Sequence, residues 1–347
     1  MKLLIINYSM DEKHQVFSHQ VEVVNYLSKH FSQVTVLTGS MGSYHVSKNV
    51  KVISYNWVEG KRLSSLVNFL LLFIKVIKAE KFSVVFSHMT SVQSVFIAPI
   101  TKIARLKHFL WYAHTSNGIY LKITRVLING IITSTPGSCP LKGSNIYPIG
   151  QSIDRNKFSK KLKVSWPITR LVHVGRFDPS KNIEKMVSTV ANIRNSCPDL
   201  TLEIIGSPSS EKFIDDAAKI KEQFSSNFEF DWLKFTPHIS RASLPEILKT
   251  KDCFIHSFQG SLDKTLVEAT FSCLPVVTIN KEYLNVFGGW DQDDKAKSSS
   301  LERQFRKILA LSANELQVEV DRRYELAIRQ HELSGWVDRL VYILKSG

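Results

Sequence analysis

Short β-rich runs alternate with amphipathic stretches between residues 3 and 279, and the alternation restarts once after a polar segment. Residues 3–7 (LLIIN) read as a buried first strand. Residues 14–30 read as a helix, with Val16, Val23, Val24, Leu27 and Phe31 at helical spacing. Residues 34–38, 50–55, 83–88, 109–113 and 130–134 read as further strands, and 63–79 as a strongly apolar helix. A parallel strand pair needs a long crossover, so strands alternating with helices imply right-handed βαβ units on a parallel sheet. A strand-like run at 145–148 precedes the polar segment 150–163, a candidate linker. The pattern then starts again. Strands are expected at 170–174, 200–205, 228–235, 253–256 and 276–279, with helices at 181–194, 210–224, 244–248 and 264–272. The reading is an α/β protein of two tandem Rossmann-like domains, 1–158 and 159–325, with a final helical segment 326–347 that crosses back to the first. A chain of 347 residues has the length for two such domains. Joined doubly wound domains enclose a cleft, and ligands sit outside the carboxyl ends of their strands. Chemistry is therefore sought in strand-to-helix loops.

Charge separates the halves. Residues 1–158 hold 18 Lys and Arg against 6 Asp and Glu, a net +12; residues 159–347 hold 27 against 25, a net +2. A basic half suits an anionic partner such as a membrane surface, or is simply a soluble basic domain. No aromatic–basic interleaving or nucleic-acid motif accompanies it, so nucleic acid is not expected as a partner. Cys139, Cys197, Cys253 and Cys273 form no CxxC pair and read as reduced thiols of a cytoplasmic protein. The opening residues turn polar too early for a signal sequence, and the apolar run 66–77 contains Asn68 and Lys75 and is too short to span a bilayer. Flanked by Lys61, Arg62, Lys75 and Lys78, it is either a helix covering the sheet or a membrane-surface element.

Two segments carry chemistry. In VGRFDPSKNIE (174–184) a strand ends at Gly175 and a Pro-Ser turn leads into a helix bearing Lys181. Arg176 and Lys181 beside a helix start form a candidate diphosphate site, or a solvated basic turn. In GSLDKTLVEA (260–269) a small-residue loop again enters a helix, offering backbone N–H groups of Gly260, Ser261, Leu262, Asp263, Lys264 and Thr265 to an anion. Glu268 lies one turn into that helix, where a carboxylate binds vicinal hydroxyls or faces solvent.

The order GRFDPSKNIE, then GSLDKTLVEA and LPVV, with the second motif starting 85 positions after Gly175, resembles glycosyltransferase family 4, retaining enzymes of the GT-B fold. The first half extends the resemblance. Trp111-Tyr112-Ala113-His114 is similar to the family's strand-end His, Thr133-Ser134-Thr135 to its "TST" strand end, and residues 149–154 with Phe158 to its interdomain junction. The segment from His331 to Trp336 is similar to its crossover helix. The resemblance implies transfer of a sugar from a UDP- or GDP-linked donor, without a metal or other cofactor, to a glycan or polyprenyl-diphosphate-linked acceptor in envelope polysaccharide assembly. It implies that Arg176 and Lys181 hold the donor diphosphate, that Glu268 binds the ribose and that His114 lies near the transferred sugar. The acidic cluster 291–294 reads as a solvated loop.

Two departures stand out. The family's motif is Glu, seven residues, Glu, but the position eight before Glu268 is Gly260. Asp263 or Gln259 are the candidate substitutes in that loop. The family's Gly-Gly loop after the first strand is replaced by residues 9–14, so Asp11, Lys13, His14 and His19 become acceptor-side candidates, or solvated loop residues. A nucleotide-binding protein without transfer chemistry is one alternative. A sugar-nucleotide epimerase is another, weakened by the absence of an evident acid/base carboxylate pair.

Overall fold

The computed structural model describes all residues except 15, 159, 209, 226–229, 292–299 and 347. It divides into two compact units, residues 1–152 with 333–347 and residues 153–332.

In the first unit the elements follow as β1 (Lys2–Met10), α1 (His19–Ser28), β2 (Gln33–Met41), β3 (Val50–Ser54), α2 (Arg62–Ala79), β4 (Val84–His88), α3 (Ser91–Ile103), β5 (Lys107–Trp111), α4 (Ile119–Leu127), β6 (Gly130–Thr133) and β7 (Ile146–Pro148). The seven strands form one parallel sheet in the order β3-β2-β1-β4-β5-β6-β7. Side chains alternate across a strand, so β1 feeds both faces. Leu3 and Ile5 pack with Val21, Val24 and Leu27, while Leu4 and Ile6 pack with Phe69, Phe73 and Val76. A strand covered on both faces reads as an unbroken apolar run, which is why residues 3–6 carry no polar position.

The second unit repeats the plan. It contains β8 (Arg170–Val174), α5 (Ile183–Arg194), β9 (Thr201–Ile205), α6 (Ile214–Ser225), β10 (Leu233–Thr236), α7 (Leu244–Lys249), β11 (Cys253–His256), α8 (Lys264–Phe271), β12 (Val276–Thr278), α9 (Lys281–Phe287), α10 (Leu301–Leu309) and α11 (Ala313–His331). Its parallel sheet runs β10-β9-β8-β11-β12. The strand order reverses direction at β8/β11, and a doubly wound sheet opens its ligand crevice at such a point.

The last helix, α12 (Leu333–Ser346), belongs to the first unit. Trp336 is fully buried there, its ring 5.2 Å from that of Trp111 and its indole N–H donating to the Gly150 carbonyl at 3.1 Å. The long α11 stays with the second unit, so the return is made by α12 rather than by a helix starting near 326. The polar stretch 150–163 is likewise divided: Gly150 donates to Ser134, whereas Ile153 donates to His331.

Other boundaries moved for local reasons. The helix expected from residue 14 starts at His19. His14 Nδ1 accepts the N–H groups of Val16 and Phe17, at 3.1 Å each, in a turn that competes with helix. The strand expected at 109–113 lies at Lys107–Trp111, and that expected at 228–235 at Leu233–Thr236; residues 228 and 229 fall outside the described residues.

Candidate donor site at the β8/β11 switch point

Two loops leave the switch point, 175–182 after β8 and 257–263 after β11. They are tied together. Ser257 Oγ donates to the carbonyls of Lys181 (2.5 Å) and Asn182 (2.8 Å), and Asn182 takes left-handed φ/ψ of 50° and 54° to turn the chain into α5. Asn tolerates that conformation better than most residues. The paired motifs thus meet because β8 and β11 are neighbours, although 82 positions separate Lys181 from Asp263.

The two cations of the first motif have different surroundings. Arg176 is half exposed, its Nε 3.4 Å from Asp178. Lys181 is buried, paired with Asp263, its Nζ 4.1 Å from the Phe258 ring centroid. Asp263 also faces His256 Nε2 at 3.3 Å, and His256 Nδ1 meets Thr278 Oγ1 at 3.2 Å. Burial acts to raise the Asp263 pKa, but the Lys181 ammonium and His256 outweigh it and hold the carboxyl well below its ordinary range. Burial lowers the His256 pKa against the pull of Asp263, so the imidazole is neutral at pH 7. His173, 5.7 Å away ring to ring, is pushed down to about 3 by burial and by His256. Lys181 is therefore one member of a buried Lys–Asp–His group, and Asp263 has one carboxylate oxygen committed to it.

Gly260 stands where the family pattern has its first carboxylate. A Cβ there would lie 2.1 Å from Phe258 Cζ, so the aromatic ring fills the space a side chain would use. Phe258 thereby links the missing carboxylate to Lys181: the same ring lies against Gly260 and under the ammonium.

Helix α8 presents Thr265 and Glu268, one turn apart on one face. Glu268 is 1% exposed. Its Oε1 accepts from Nη2 of Arg241, a residue of the loop before α7. Among the described residues its Oε2 has no hydrogen-bond partner, nor has Thr265 Oγ1 or His173 Nε2. Buried polar groups are nearly always paired, and leaving one unpaired costs about 1–3 kcal/mol. These three atoms lie at or beside the two loops. Half-buried Lys264 opens α8, its pKa held well below the ordinary lysine value by burial and by Arg241 and Lys157. The described part of the site thus offers Arg176 and Arg241 as cations, the Lys264 amine, the N–H groups of loop and helix start, and one carboxylate with an oxygen that has no hydrogen-bond partner.

Arg241, Phe258, His256 and Asn280 were not singled out by the sequence. Asn280 before Lys281 and Glu282 is a legible helix cap, but nothing local shows that its amide reaches the loop 22 positions earlier. In the first unit His114 is exposed beyond β5, its Nδ1 accepting from Ser116 N at 3.0 Å. Asp11 accepts from Lys13 N, Glu12 pairs with His45, and His19 opens α1 with its ring 5.8 Å from that of His88. Of the acidic cluster 291–294 only Asp291 is described, paired with Arg303.

Residues 154–307 match the family model for glycosyl transferases group 1. No curated protein sequence matches the chain. Among solved structures it is similar to Anabaena HepE in complex with UDP-glucose (TM-score 0.74, 14% identity, all of both chains covered). It is similar to the sucrose-phosphate synthase of Thermosynechococcus elongatus (TM-score 0.78, 13% identity, 99% of this chain and 98% of that). A third is WaaG, a glycosyltransferase involved in lipopolysaccharide biosynthesis (TM-score 0.66, 13% identity, 99% of this chain and all of that). These likenesses establish the shared two-domain fold.

Proposed function

We propose that the chain, whose residues 154–307 match the model for glycosyl transferases group 1, is a retaining, nucleotide-sugar-dependent enzyme of that kind, and that the loops after β8 and β11 hold a nucleoside diphosphate sugar, UDP- or GDP-linked. The observation that carries this reading is the open Glu268 oxygen: a buried carboxylate atom with no donor, one helical turn from an open hydroxyl and beside two loops rich in N–H groups. A ribose diol supplies the donors Glu268 lacks. The diphosphate then falls to Arg176, to the N-terminus of α8 and its Lys264, and to Lys181 as far as its pairing with Asp263 allows.

Transfer with retention proceeds on the face of the sugar from which the diphosphate departs. The bond from the anomeric carbon to the diphosphate oxygen breaks, and the acceptor hydroxyl oxygen bonds to the same carbon. Its proton passes to the departing phosphate. Fixed cations and N–H dipoles that meet growing negative charge on the leaving group lower the barrier without reorganising.

The acceptor reading rests on the first unit, whose loop after β1 would meet the acceptor and whose His114 would lie near the transferred sugar. Between residues 61 and 152 the sequence has eleven Lys and Arg and one carboxylate, Glu80. No described helix is long and apolar enough to cross a membrane. However, α2 leaves Leu63, Val67 and Leu71 exposed along one line, among Lys61, Arg62, Lys75 and Lys78. Exposed aliphatics among cations suit an anionic lipid surface. They support a cytoplasmic enzyme peripheral to the membrane, acting on a glycan or polyprenyl-diphosphate-linked acceptor in envelope polysaccharide assembly.

A second reading has its own observation. With Gly260 backed by Phe258, the loop gives the donor sugar no carboxylate at that point, which favours a nucleotide-binding protein without transfer. Release of nucleoside diphosphate from a panel of nucleotide sugars, by wild type and Arg176→Ala, separates the two. Release that falls at least tenfold in the variant supports transfer. Tight nucleotide binding with no release from any donor supports the second reading, and equal release by both proteins removes Arg176 from the chemistry.

A further inference from the structure

Asn280 lies just beyond β12, is fully buried, and belongs to neither donor motif. Its side chain does two separate things. Oδ1 accepts from Tyr283 N at 2.9 Å and caps α9. Nδ2 faces three carbonyl oxygens of the β11–α8 loop, those of Phe258 (3.0 Å), Gly260 (3.3 Å) and Ser261 (3.2 Å). An amide carries two hydrogens, so three acceptors drawn to one nitrogen mean that the loop is folded around it.

Peptide geometry sets the consequence. In a planar trans peptide the C=O and the following N–H point to opposite edges, and every peptide of this loop is trans. Carbonyls of Phe258, Gly260 and Ser261 turned inward therefore turn the N–H groups of Gln259 and Ser261 away from Asn280. The loop continues into α8, where Thr265 Oγ1 and Glu268 Oε2 are buried atoms without a hydrogen-bond partner.

We infer that Asn280 is a positioning residue of the donor site: by gathering these carbonyls it fixes the conformation of the loop that leads into α8 and Glu268. The inference rests on the donor reading above, and it assigns to a residue outside both motifs the task of holding the donor loop in place. The N–H of Asn280 to Thr278 Oγ1 (3.0 Å) ties the residue to the hydroxyl that faces His256, so loop, Asp263 and strand end share one network.

The two functions of the side chain make the test clean. Asn280→Asp retains an oxygen for the Tyr283 cap but loses the amide hydrogens; Asn280→Ala loses both. Calorimetric titration with UDP and GDP at pH 8 is expected to show at least a tenfold loss of affinity in each variant. The Asp variant should melt closer to wild type than the Ala variant. At pH 5.5 its affinity should recover several-fold relative to wild type, because a protonated carboxyl again donates to a loop carbonyl, while the Ala variant does not recover. If the Asp variant does not fold, Asn280→Ser, with one donor, decides the matter by an intermediate loss. A folded Asp variant that binds within twofold of wild type at pH 8, or a Ser variant that does so, overturns the inference and leaves Asn280 a helix cap. A wild-type protein that binds neither nucleotide overturns the donor reading itself, and this inference with it.

Discussion

At the level of single side chains the proposed donor site turns on the pair of Arg241 and Glu268. The guanidinium takes one carboxylate oxygen and leaves the other open. Removing one partner of a buried ion pair strands the other, at a cost of about 3–5 kcal/mol when both are fully buried, and less here because Arg241 is about a third exposed. Arg241→Met is expected to destabilise the second unit by about 2–3 kcal/mol in urea titration and to weaken nucleoside diphosphate binding at least tenfold. Unchanged binding would separate Glu268 from the ligand. Gly260→Ala tests the Phe258 contact: the added methyl must displace the ring from Lys181. Donor affinity should fall in Gly260→Ala, fall in Phe258→Leu, and fall no further in the double variant, since residues in contact are not additive. Arg176, Lys181, the loop 260–265 and Glu268 could be singled out as candidates because each motif is local. Arg241 and Asn280 were not, because they act across 27 and 22 positions through a fold the sequence does not spell out. Lys181 was legible as a cation but not as one already matched by Asp263.

Elements carry the next set of constraints. In α2 the buried stripe Ser65, Phe69, Phe73, Val76 packs on the sheet, while Leu63 and Leu71 are 77% and 64% exposed. Burial of Phe69 and Phe73 answers half of the question the sequence left open: the helix does cover the sheet, and it also keeps an apolar line outside. Phe73→Ala should cost about 3–5 kcal/mol in denaturant, whereas Leu71→Ser should change stability by less than about 0.5 kcal/mol. In co-sedimentation with anionic vesicles the Leu71→Ser variant should bind less, and binding equal to wild type would remove α2 from the membrane reading. The pairing of β8 with β11 has its own electrostatic latch. Asp252, 2% exposed, accepts from Arg170 Nε, Nη2 and N and from Thr169. Burial alone would raise its pKa, but these donors, Arg170 first, hold it at about 2. The folded pKa lies below the ordinary Asp value of about 3.9. The stabilisation, on the order of 2 kcal/mol, is therefore complete above pH 4 and lost as pH falls towards 2. Asp252→Asn should flatten that acid limb of the stability profile; an unchanged limb would assign acid unfolding elsewhere.

At the scale of the molecule, the strand–helix alternation was enough to read two parallel sheets, because a buried parallel strand cannot avoid being apolar on both faces. The turn-level events were not readable: His14 delays α1, and a single extended residue, Glu332, separates α11 from α12 and returns the chain to the first unit. The family model spans the second unit's two loop motifs, and the full-length likenesses extend the fold to the first. Charge divides the same way, with the basic surplus on the half assigned to the acceptor. Vesicle binding should accordingly weaken between 0.05 and 0.5 M salt, on the order of the shortening Debye length, and salt-independent binding would mean that apolar insertion alone holds the protein. The central claim is tested most directly by the structure of the protein crystallised with a nucleoside diphosphate. The account predicts diphosphate oxygens within hydrogen-bond distance of Arg176 and the Ser261 N–H, and a ribose hydroxyl on Glu268 Oε2. A nucleotide bound away from the ends of β8 and β11 would contradict it.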